Sequence, residues 1–331
     1  MNNNREWISA GYVTDKISDK LDIKEEILKL KKEKNAIIMA HYYQINEIQD
    51  IADFVGDSLA LAQEASKTKA DIILLAGVYF MGETAKILSP QKKVLVPDLN
   101  AGCSLADSCP ADDFAQFKKQ YPDHVVVTYV NTTAAVKALS DIVVTSTNAV
   151  GIINSIPIDK PILFGPDRNL GNYLQGLTGR EMILWDGACH VHEQFSLEKI
   201  VDLKREHPNA QLIAHPECKK PLLIMADFIG STAALLKYTK ENSNKEFIVA
   251  TEAGILHQMK KYSPDKTFIP APPNDSTCGC NDCEFMKLNT LKKVYLALKH
   301  EYPEVLVDES IRVEAVKPIE RMLKISAELK L

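Results

Sequence analysis

The hexapeptide Asp53–Ser58 (DFVGDS) has two counterparts further along the chain, Asp141–Ser146 (DIVVTS) and Asp227–Thr232 (DFIGST). Each copy begins with an aspartate, continues through two apolar residues and one small or branched residue, and ends with a hydroxyl side chain after one variable position. The first residues of successive copies are 88 and 86 positions apart. Similarity at a nearly fixed spacing predicts a chain built from three related units.

Three further features keep this spacing. The residue 17 positions before each final hydroxyl, called here the anchor residue, follows an apolar run and is an imidazole or a phenol: His41, Tyr129 and His215. A polar residue comes two positions after each anchor: Tyr43, Asn131 and Glu217. One cysteine per unit follows its anchor by 62, 60 or 68 positions, the last interval being longer because of an insertion around residues 270–277: Cys103, Cys189 and Cys283.

Within each unit, short apolar runs alternate with helical patterns. In the first unit, residues 35–40, 72–76 and 94–97 are predicted strands, and residues 58–67 carry apolar side chains at helical spacing. This alternation predicts an α/β fold with a parallel sheet covered by helices on both faces. We expect three homologous domains of this kind, in a pseudo-threefold arrangement around a central active site. The predicted boundaries are 1–110, 111–196 and 197–290, with residues 291–331 packing back on the first domain.

Composition excludes several classes of function. The formal net charge of −5 disfavours a nucleic-acid partner, since phosphate backbones attract basic surfaces. The polar start of the chain lacks the apolar core of a signal peptide, and the apolar runs are too short to span a bilayer. We therefore expect a cytoplasmic protein with no membrane partner, in which the seven cysteines are metal ligands or buried thiols.

The repeated hydroxyls indicate an anion site. Ser58, Ser146 and Thr232 are each predicted to open a helix, and helix N-termini present backbone N–H groups and a partial positive charge. Three such hydroxyls could hold a phosphate or carboxylate, although helix capping alone also explains a serine or threonine at this position. The anchor residues are expected to reach the same cleft. Imidazole, phenol and carboxyl groups serve proton transfer, which makes Tyr43 and Glu217 acid–base candidates and Asn131 an orienting donor.

The three equivalent cysteines indicate a metal centre. Four-iron clusters usually take four thiolates, so three would leave one iron open for catalysis. Zinc is the alternative, with the thiolates joined by His190 or His192. Cys278 and Cys280 compete with Cys283 for the third position, because all three are close in sequence. Cys109 and Cys218 have no counterparts in the other units and are predicted to be buried thiols.

Together these motifs resemble the quinolinate synthase family of NAD biosynthesis, over nearly the whole chain. The matching strings are residues 40–44 (AHYYQ), 56–59 (GDSL), 80–86 (FMGETAK), 100–103 (NAGC), 129–131 (YVN), 187–189 (GAC), 215–218 (HPEC) and 283–287 (CEFMK). The resemblance implies three homologous α/β domains around a [4Fe–4S] cluster. It also implies a transferase that condenses iminoaspartate with dihydroxyacetone phosphate to form quinolinate, phosphate and water.

By position, the resemblance implies that Cys103, Cys189 and Cys283 hold the cluster, and that Tyr43, His41 and Glu217 act in catalysis. The implied substrate-binding residues are His41, Ser58, Tyr129, Val130, Asn131, Ser146, His215, Pro216, Glu217 and Thr232. The enzyme that supplies iminoaspartate, an L-aspartate oxidase or dehydrogenase, would be the functional partner. Many members of the family carry Cys-x-x-Cys-x-x-Cys near the third ligand, whereas this chain has Cys278-x-Cys280-x-x-Cys283, so a thiol switch at that group is not expected to transfer.

Two other classes of function remain open at this stage. A different cluster-dependent hydro-lyase would use the same thiols and hydroxyls on another carboxylic acid. A metal or redox sensor would use the cysteines alone and would have no need of the repeated hydroxyl residues.

Overall fold

The computed structural model describes residues 3–275 and 281–331. In chain order the strands are β1 (Ala36–His41), β2 (Phe54–Gly56), β3 (Ile72–Ala76), β4 (Lys93–Leu95), β5 (Val125–Tyr129), β6 (Ile142–Val144), β7 (Ile162–Gly165), β8 (Met182–Leu184), β9 (Gln211–Ala214), β10 (Phe228–Ile229), β11 (Glu246–Ala250) and β12 (Thr267–Pro270). Every strand falls into one of three four-stranded sheets, with the orders β2-β1-β3-β4, β6-β5-β7-β8 and β10-β9-β11-β12. All pairings are parallel, and the strand order is the same in each sheet.

Helices connect the strands, as parallel pairing requires. They are α1 (Asn3–Ala10), α2 (Ile23–Glu33), α3 (Asn46–Ile51), α4 (Ser58–Lys67), α5 (Tyr79–Leu88), α6 (Ser104–Asp107), α7 (Ala111–Lys119), α8 (Ala134–Ala138), α9 (Ala149–Ser155), α10 (Arg168–Thr178), α11 (His190–Glu193), α12 (Leu197–Glu206), α13 (Lys220–Met225), α14 (Thr232–Glu241), α15 (Ile255–Tyr262), α16 (Glu284–Lys287), α17 (Leu291–His300) and α18 (Glu309–Glu328). The prediction of an α/β fold with three parallel sheets flanked by helices is confirmed. None of these helices, within the described part of the chain, is both long and apolar enough to cross a lipid bilayer.

The repeated aspartate that begins each hexapeptide connects the first two strands of its sheet. Asp53 N donates to Ile38 O at 2.9 Å, and Asp53 Oδ2 accepts from Ile38 N at 2.9 Å. Asp141 and Asp227 form the same pair of bonds with Val126 and Leu212, each three positions before its anchor. At this position the carboxylate oxygen accepts a hydrogen bond from the backbone N–H of the first strand. The repetition of this acid therefore reflects strand pairing.

The hydroxyl that ends each hexapeptide does not cap a helix. Ser58 and Thr232 are the first residues of α4 and α14, and the caps are the residues before them: Asp57 Oδ1 accepts from Ala60 N at 3.0 Å, and Ser231 Oγ from Ala234 N at 3.3 Å. Ser146 lies in a turn before α9, where Asn148 Oδ1 accepts from Thr145 N at 2.6 Å. The expectation that all three open a helix is met at two positions and missed at the third, since Asn148 delays the start of α9.

The chain divides into two compact units, Met1–Cys103 with Glu284–Val316 and Ser104–Cys283 with Lys317–Leu331. The first unit contains the first sheet, whose core includes Ile27, Ile38, Val294 and Leu298, all fully buried. Helix α17 thus packs beside α2 on this sheet.

The second unit contains the other two sheets. Their cores centre on buried residues such as Phe114 and Val126 for the first of these sheets and Leu212 and Ile248 for the second.

The C-terminal segment was expected to pack on the first repeat over residues 291–331. The first unit ends at Val316, and residues from Lys317 belong to the second unit. The physical reason is the end of α18, where Ser326 Oγ accepts from Asn148 Nδ2 at 2.9 Å. In addition, Leu329 packs so closely on Gly151 that a Cβ there would lie 2.4 Å from Leu329 Cδ1.

Candidate active site

Two anchor residues lie at the carboxyl ends of the central strands in the second unit. Tyr129 is the last residue of β5, and His215 directly follows β9; both are buried. Parallel α/β sheets place ligands at this edge, because the loops that follow the strands open there. The anchors are therefore held by rigid strands, and the residues after them lie in the loops at this edge of the sheets.

Glu217 is the centre of a buried polar cluster. Its Oε2 lies 2.7 Å from His192 Nδ1 and 3.6 Å from His215 Nδ1, and the two imidazole rings stack with their centroids 4.9 Å apart. The Tyr129 hydroxyl also hydrogen-bonds to Glu217. His192 Nε2 lies 3.0 Å from Thr251 Oγ1, which fixes the orientation of that ring. All of these side chains are at most 5% exposed.

The geometry around His215 defines its tautomer. Glu217 N donates to His215 Nδ1 at 3.4 Å, so the ring proton sits on Nε2, which donates to Ser146 Oγ at 3.2 Å. Burial lowers the pKa of His215 to about 3, more than the charge of Glu217 raises it, and repulsion from His192 lowers it further. His215 is therefore a neutral imidazole that offers an N–H next to a repeated hydroxyl.

Glu217 remains ionised despite its burial. Desolvation raises its pKa, but attraction to His192 and His215 and the hydrogen bonds from His192 and Tyr129 outweigh it and lower the pKa to about 2. Its second oxygen, Oε1, has no hydrogen-bond partner among the described residues. A buried carboxylate oxygen without a partner is costly unless a ligand or metal occupies it, which marks this side of Glu217 as a binding position.

Asp167, which the sequence reading did not single out, is a second buried carboxyl next to this cluster. It follows β7 and caps α10, with Oδ1 accepting from Leu170 N at 2.7 Å. Burial and the negative charge of Glu217 together raise its pKa well above the usual value, against backbone hydrogen bonds that lower it. The available signal was an acid two positions after an apolar strand.

Two of the predicted cysteine ligands lie in the second unit. Cys189 follows β8 and is the N-cap residue of α11, and it is half-buried. Gly187, two residues earlier, is required by the close approach of the chain, since a Cβ would lie 2.6 Å from Pro166 O. Cys283, also half-buried, donates its N–H to Glu252 Oε1 at 3.1 Å. Both backbones are thus fixed by neighbouring strand ends.

Cys189 also belongs to a potential metal-binding group. Its Sγ, a ring nitrogen of His192 and a carboxylate oxygen of Glu217 all lie within 4.8 Å of one another. Thiolate, imidazole and carboxylate are ligands of transition metals, and a second ring nitrogen fixed by a hydrogen bond, as in His192, is usual for a ligating histidine. These three side chains could therefore hold a metal ion.

The remaining site residues of the second unit occupy nearby loops. Asn131 has a buried Oδ1 that lacks a hydrogen-bond partner within the described residues, and Val130 N donates to Val144 O at 2.8 Å. Thr147 Oγ1 donates to Ser231 Oγ at 2.8 Å, which joins the turn of Ser146 to the start of α14, where Thr232 is buried. Pro216 lies between His215 and Glu217 and is also buried.

The first unit repeats part of this arrangement. His41, buried at the end of β1, accepts from Tyr43 N through Nδ1 at 3.2 Å, as His215 accepts from Glu217 N. The His41 and Tyr43 rings meet edge to face, with centroids 4.5 Å apart. Lys287 Nζ donates to Tyr43 O at 2.8 Å. Ser58 begins α4, and Cys103, which is half-buried, is the last residue of the first of the two segments that form this unit.

The other cysteines divide into two groups. Cys109 and Cys218 are buried, as predicted, and burial raises the pKa of the Cys109 thiol to about 12 and that of Cys218 well above its usual value. The alternative ligands Cys278 and Cys280 lie outside the described residues. Of the two histidines named for a zinc site, His192 contacts Glu217, whereas His190 Nδ1 lies 2.7 Å from Ser104 Oγ.

Comparison with known proteins assigns the family. Residues 25–324 match the family model described as quinolinate synthetase A protein. The chain is 60% identical over 306 residues to the quinolinate synthase of Nostoc punctiforme, covering 92% of this chain and 94% of that protein. It is 57% identical over 306 residues to the quinolinate synthase of a Synechococcus species, covering 92% and 96%. The matched range includes all three sheets, and the chain belongs to the quinolinate synthetase A protein family.

Proposed function

We propose that this protein condenses iminoaspartate with dihydroxyacetone phosphate to form quinolinate, releasing phosphate and water, at a [4Fe–4S] cluster held by Cys103, Cys189 and Cys283. The observation that carries the proposal is the contact of the buried His215 with Glu217 and with the half-buried Ser146, at the strand ends of a chain in this family. It combines a neutral N–H donor, an ionised carboxylate and a hydroxyl next to one position.

The residues present fit such a cluster. Each of the three thiols belongs to a half-buried residue in a loop after the last strand of its sheet. Ser104 and His190, which directly follow Cys103 and Cys189 in the chain, are themselves 2.7 Å apart. With three thiolate ligands the cluster would have one iron without a protein ligand, and when bound it supplies a Lewis acid for substrate oxygen atoms. A reducing, cytoplasmic setting would keep these thiols available.

The hydroxyl residues would bind the phosphate of the triose. Ser146 Oγ already accepts from His215 Nε2, so its own proton is available to an anion's oxygen. Thr232 and Ser58 stand at the N-terminal ends of α14 and α4, each of 10 residues, where backbone N–H groups and the helix dipole favour negative charge. Neutral donors of this kind suit a phosphate that must later leave, since they do not hold it with a full charge.

Proton transfer would be carried out by groups that the fold keeps in different ionisation states. Glu217, ionised and with Oε1 unoccupied, would remove protons from substrate carbon or nitrogen once a bound anionic substrate raises its pKa, and Tyr129, bonded to it, would hold a substrate oxygen. His215 would donate a hydrogen bond through Nε2 without exchanging its proton, because its pKa lies far below neutrality. Tyr43 and His41 would supply the equivalent phenol and imidazole from the first unit.

The proposal is tested on protein purified without oxygen. We expect about four irons and four sulfides per chain, and formation of quinolinate together with phosphate when iminoaspartate is generated in situ by an aspartate-oxidising enzyme, the expected functional partner. Phosphate release without quinolinate would indicate a different reaction on the triose. A cluster-containing protein inactive on both substrates, but active in dehydrating another carboxylic acid, would favour the hydro-lyase alternative. Zinc in place of iron would remove the cluster from the proposal.

A further inference from the structure

In two of the three sequence repeats, the loop after the first strand is held by a buried side chain at the same position. Gln49 and Lys137 each lie eight positions after their anchor residue, in α3 and α8. Gln49 Nε2 donates to Tyr42 O at 2.9 Å and to Gln44 O at 2.8 Å. Lys137 Nζ donates to Val130 O at 2.9 Å and also to Thr132 O. In both of these repeats, the acceptors are the backbone carbonyls one and three positions after the anchor residue.

In the third repeat, a different contact holds the corresponding loop. The residue eight positions after His215 is Leu223, whose side chain carries no hydrogen-bond donor. The loop of Glu217 is held instead by Asn169 from α10, whose Nδ2 donates to Glu217 O at 3.1 Å and to Glu193 Oε1 at 2.6 Å. A polar side chain at this position is thus not a requirement of the fold, because one of the three equivalent helices forms without it.

Burial of the Lys137 amine has a high free-energy cost for a residue with only a structural role. Its side chain is 0% exposed, and lysine is almost never fully buried unless it is well paired. Its amine is committed to the loop that carries Tyr129, Val130 and Asn131, where Tyr129 hydrogen-bonds to Glu217 and Asn131 presents a buried, unbonded Oδ1. The two carbonyl contacts fix the backbone on both sides of Asn131.

We propose that Lys137 is a positioning residue for catalysis, which holds the backbone at Val130 and Thr132 so that Tyr129 and Asn131 meet the substrate in one geometry. The inference extends the proposed function and rests on it for its kinetic consequence. Its structural part, that Lys137 orders residues 130–132, does not depend on the proposed function. Gln49 has the same role for the loop that carries Tyr43.

The internal repeat supplies the test variants. Lys137→Gln introduces the residue that makes the same two contacts in the first unit, and Lys137→Met keeps the aliphatic chain while removing the donor. Arg180→Met is the matched control for the loss of a buried cation: Arg180 is 8% exposed and donates to the carbonyls of Ile156 and Lys160 at 2.9 and 2.7 Å. Those carbonyls precede β7, at the end of the sheet opposite to the anchors.

Each variant is purified with its metal centre, and kcat and KM for quinolinate formation are measured well below the melting temperature, with backbone hydrogen exchange over residues 129–133. We expect Lys137→Met to lower kcat at least tenfold with iron content unchanged and to speed exchange in this loop. Lys137→Gln should restore at least half of the lost kcat and the slow exchange, and Arg180→Met should lower the melting temperature with kcat within twofold of wild type.

Three results would overturn the inference. The first is a Lys137→Met protein with wild-type kcat. The second is equal loss of kcat in the Lys137 and Arg180 variants, which would reduce Lys137 to a stability role. The third is a Lys137→Gln protein that folds and yet is as impaired as the methionine variant. A wild-type protein that forms no quinolinate, together with faster exchange in Lys137→Met, would overturn the proposed function and retain the ordering role.

Discussion

Replacing Glu217 with glutamine removes one charge from the buried cluster and nearly preserves its shape. The cluster lowers the pKa of Glu217 from 4.5 to about 2, and one pKa unit corresponds to about 1.4 kcal/mol, so its ionised form is favoured by roughly 3 kcal/mol. Removal of one partner from a buried ion pair costs a similar amount, about 3–5 kcal/mol. We expect Glu217→Gln to lower the free energy of unfolding by about 3 kcal/mol at neutral pH.

The pH dependence of this difference has a defined sign. Because the folded pKa lies below the ordinary value, the contribution of Glu217 is present above pH 4.5 and is lost as the pH falls toward about 2. The difference in unfolding free energy between wild type and Glu217→Gln should therefore be constant at neutral pH and shrink below pH 4.5. Urea denaturation across this range measures it.

Catalysis should suffer more than stability. Loss of a general base typically costs about 10²- to 10⁴-fold in rate, so we expect kcat for quinolinate formation to fall by about 100-fold or more with iron and sulfide content unchanged. Glu246→Gln is the control, since Glu246 Oε1 lies 2.6 Å from His207 Nδ1 in a half-exposed pair at the opposite end of its strand. Full turnover in Glu217→Gln would exclude Glu217 from proton transfer, and equal losses in both variants would refute the assignment to this cluster.

Three further outcomes are expected. Serine in place of any of the three proposed ligand cysteines should abolish iron binding, whereas Cys109→Ala, which only trims a buried apolar cluster, should keep the iron count and lose about 1 kcal/mol of stability. Gly187→Ala should lower iron content at least severalfold by displacing the Cys189 loop, because its Cβ would meet a backbone oxygen at 2.6 Å, and a normal iron count would contradict this reading. The unfolding free energy should fall by up to about 1.4 kcal/mol per pH unit between pH 6.5 and about 3, because His215 stays neutral in the fold and takes a proton when unfolded. His215→Gln should flatten this slope in urea titrations.

The sequence predicted the sheets because strand pairing constrains several residues at fixed distances. Strand β3 was predicted with the observed limits, since its five residues form a continuous apolar run that is buried on both faces. The residues at which the helices begin were harder to predict from the sequence. Asp57 and Ser231, one position before the repeated hydroxyls, are equally good caps, and the pattern does not distinguish a cap from the first helical residue. Nor does the apolar stripe of α18 identify the surface that it covers.

Within the site, repetition identified residues that share a position, and it missed residues that act in one unit alone. His215, Glu217 and Ser146 were found because their counterparts recur, and they are in contact. His192 was named only as an alternative zinc ligand, and Asp167 not at all, because their contacts with Glu217 depend on how the strand ends of different sheets meet. Sequence spacing within one unit carries no information about that arrangement.

The three sheets share a topology, and the chemistry arises where their equivalent positions differ. At the end of the third strand of each sheet stand Val78, Asp167 and Glu252 in turn, and the latter two are fully buried carboxyls close to the cysteine loops. Asp167 cannot be ionised easily beside Glu217, since burial and the neighbouring charge both raise its pKa. The pair therefore carries mainly one negative charge, on Glu217, where His192 and Tyr129 donate hydrogen bonds to it. A single localised carboxylate beside neutral donors limits the repulsion of an anionic substrate and still leaves one group that can accept its protons. Repetition of one sheet supplies the positions on which that asymmetry is built.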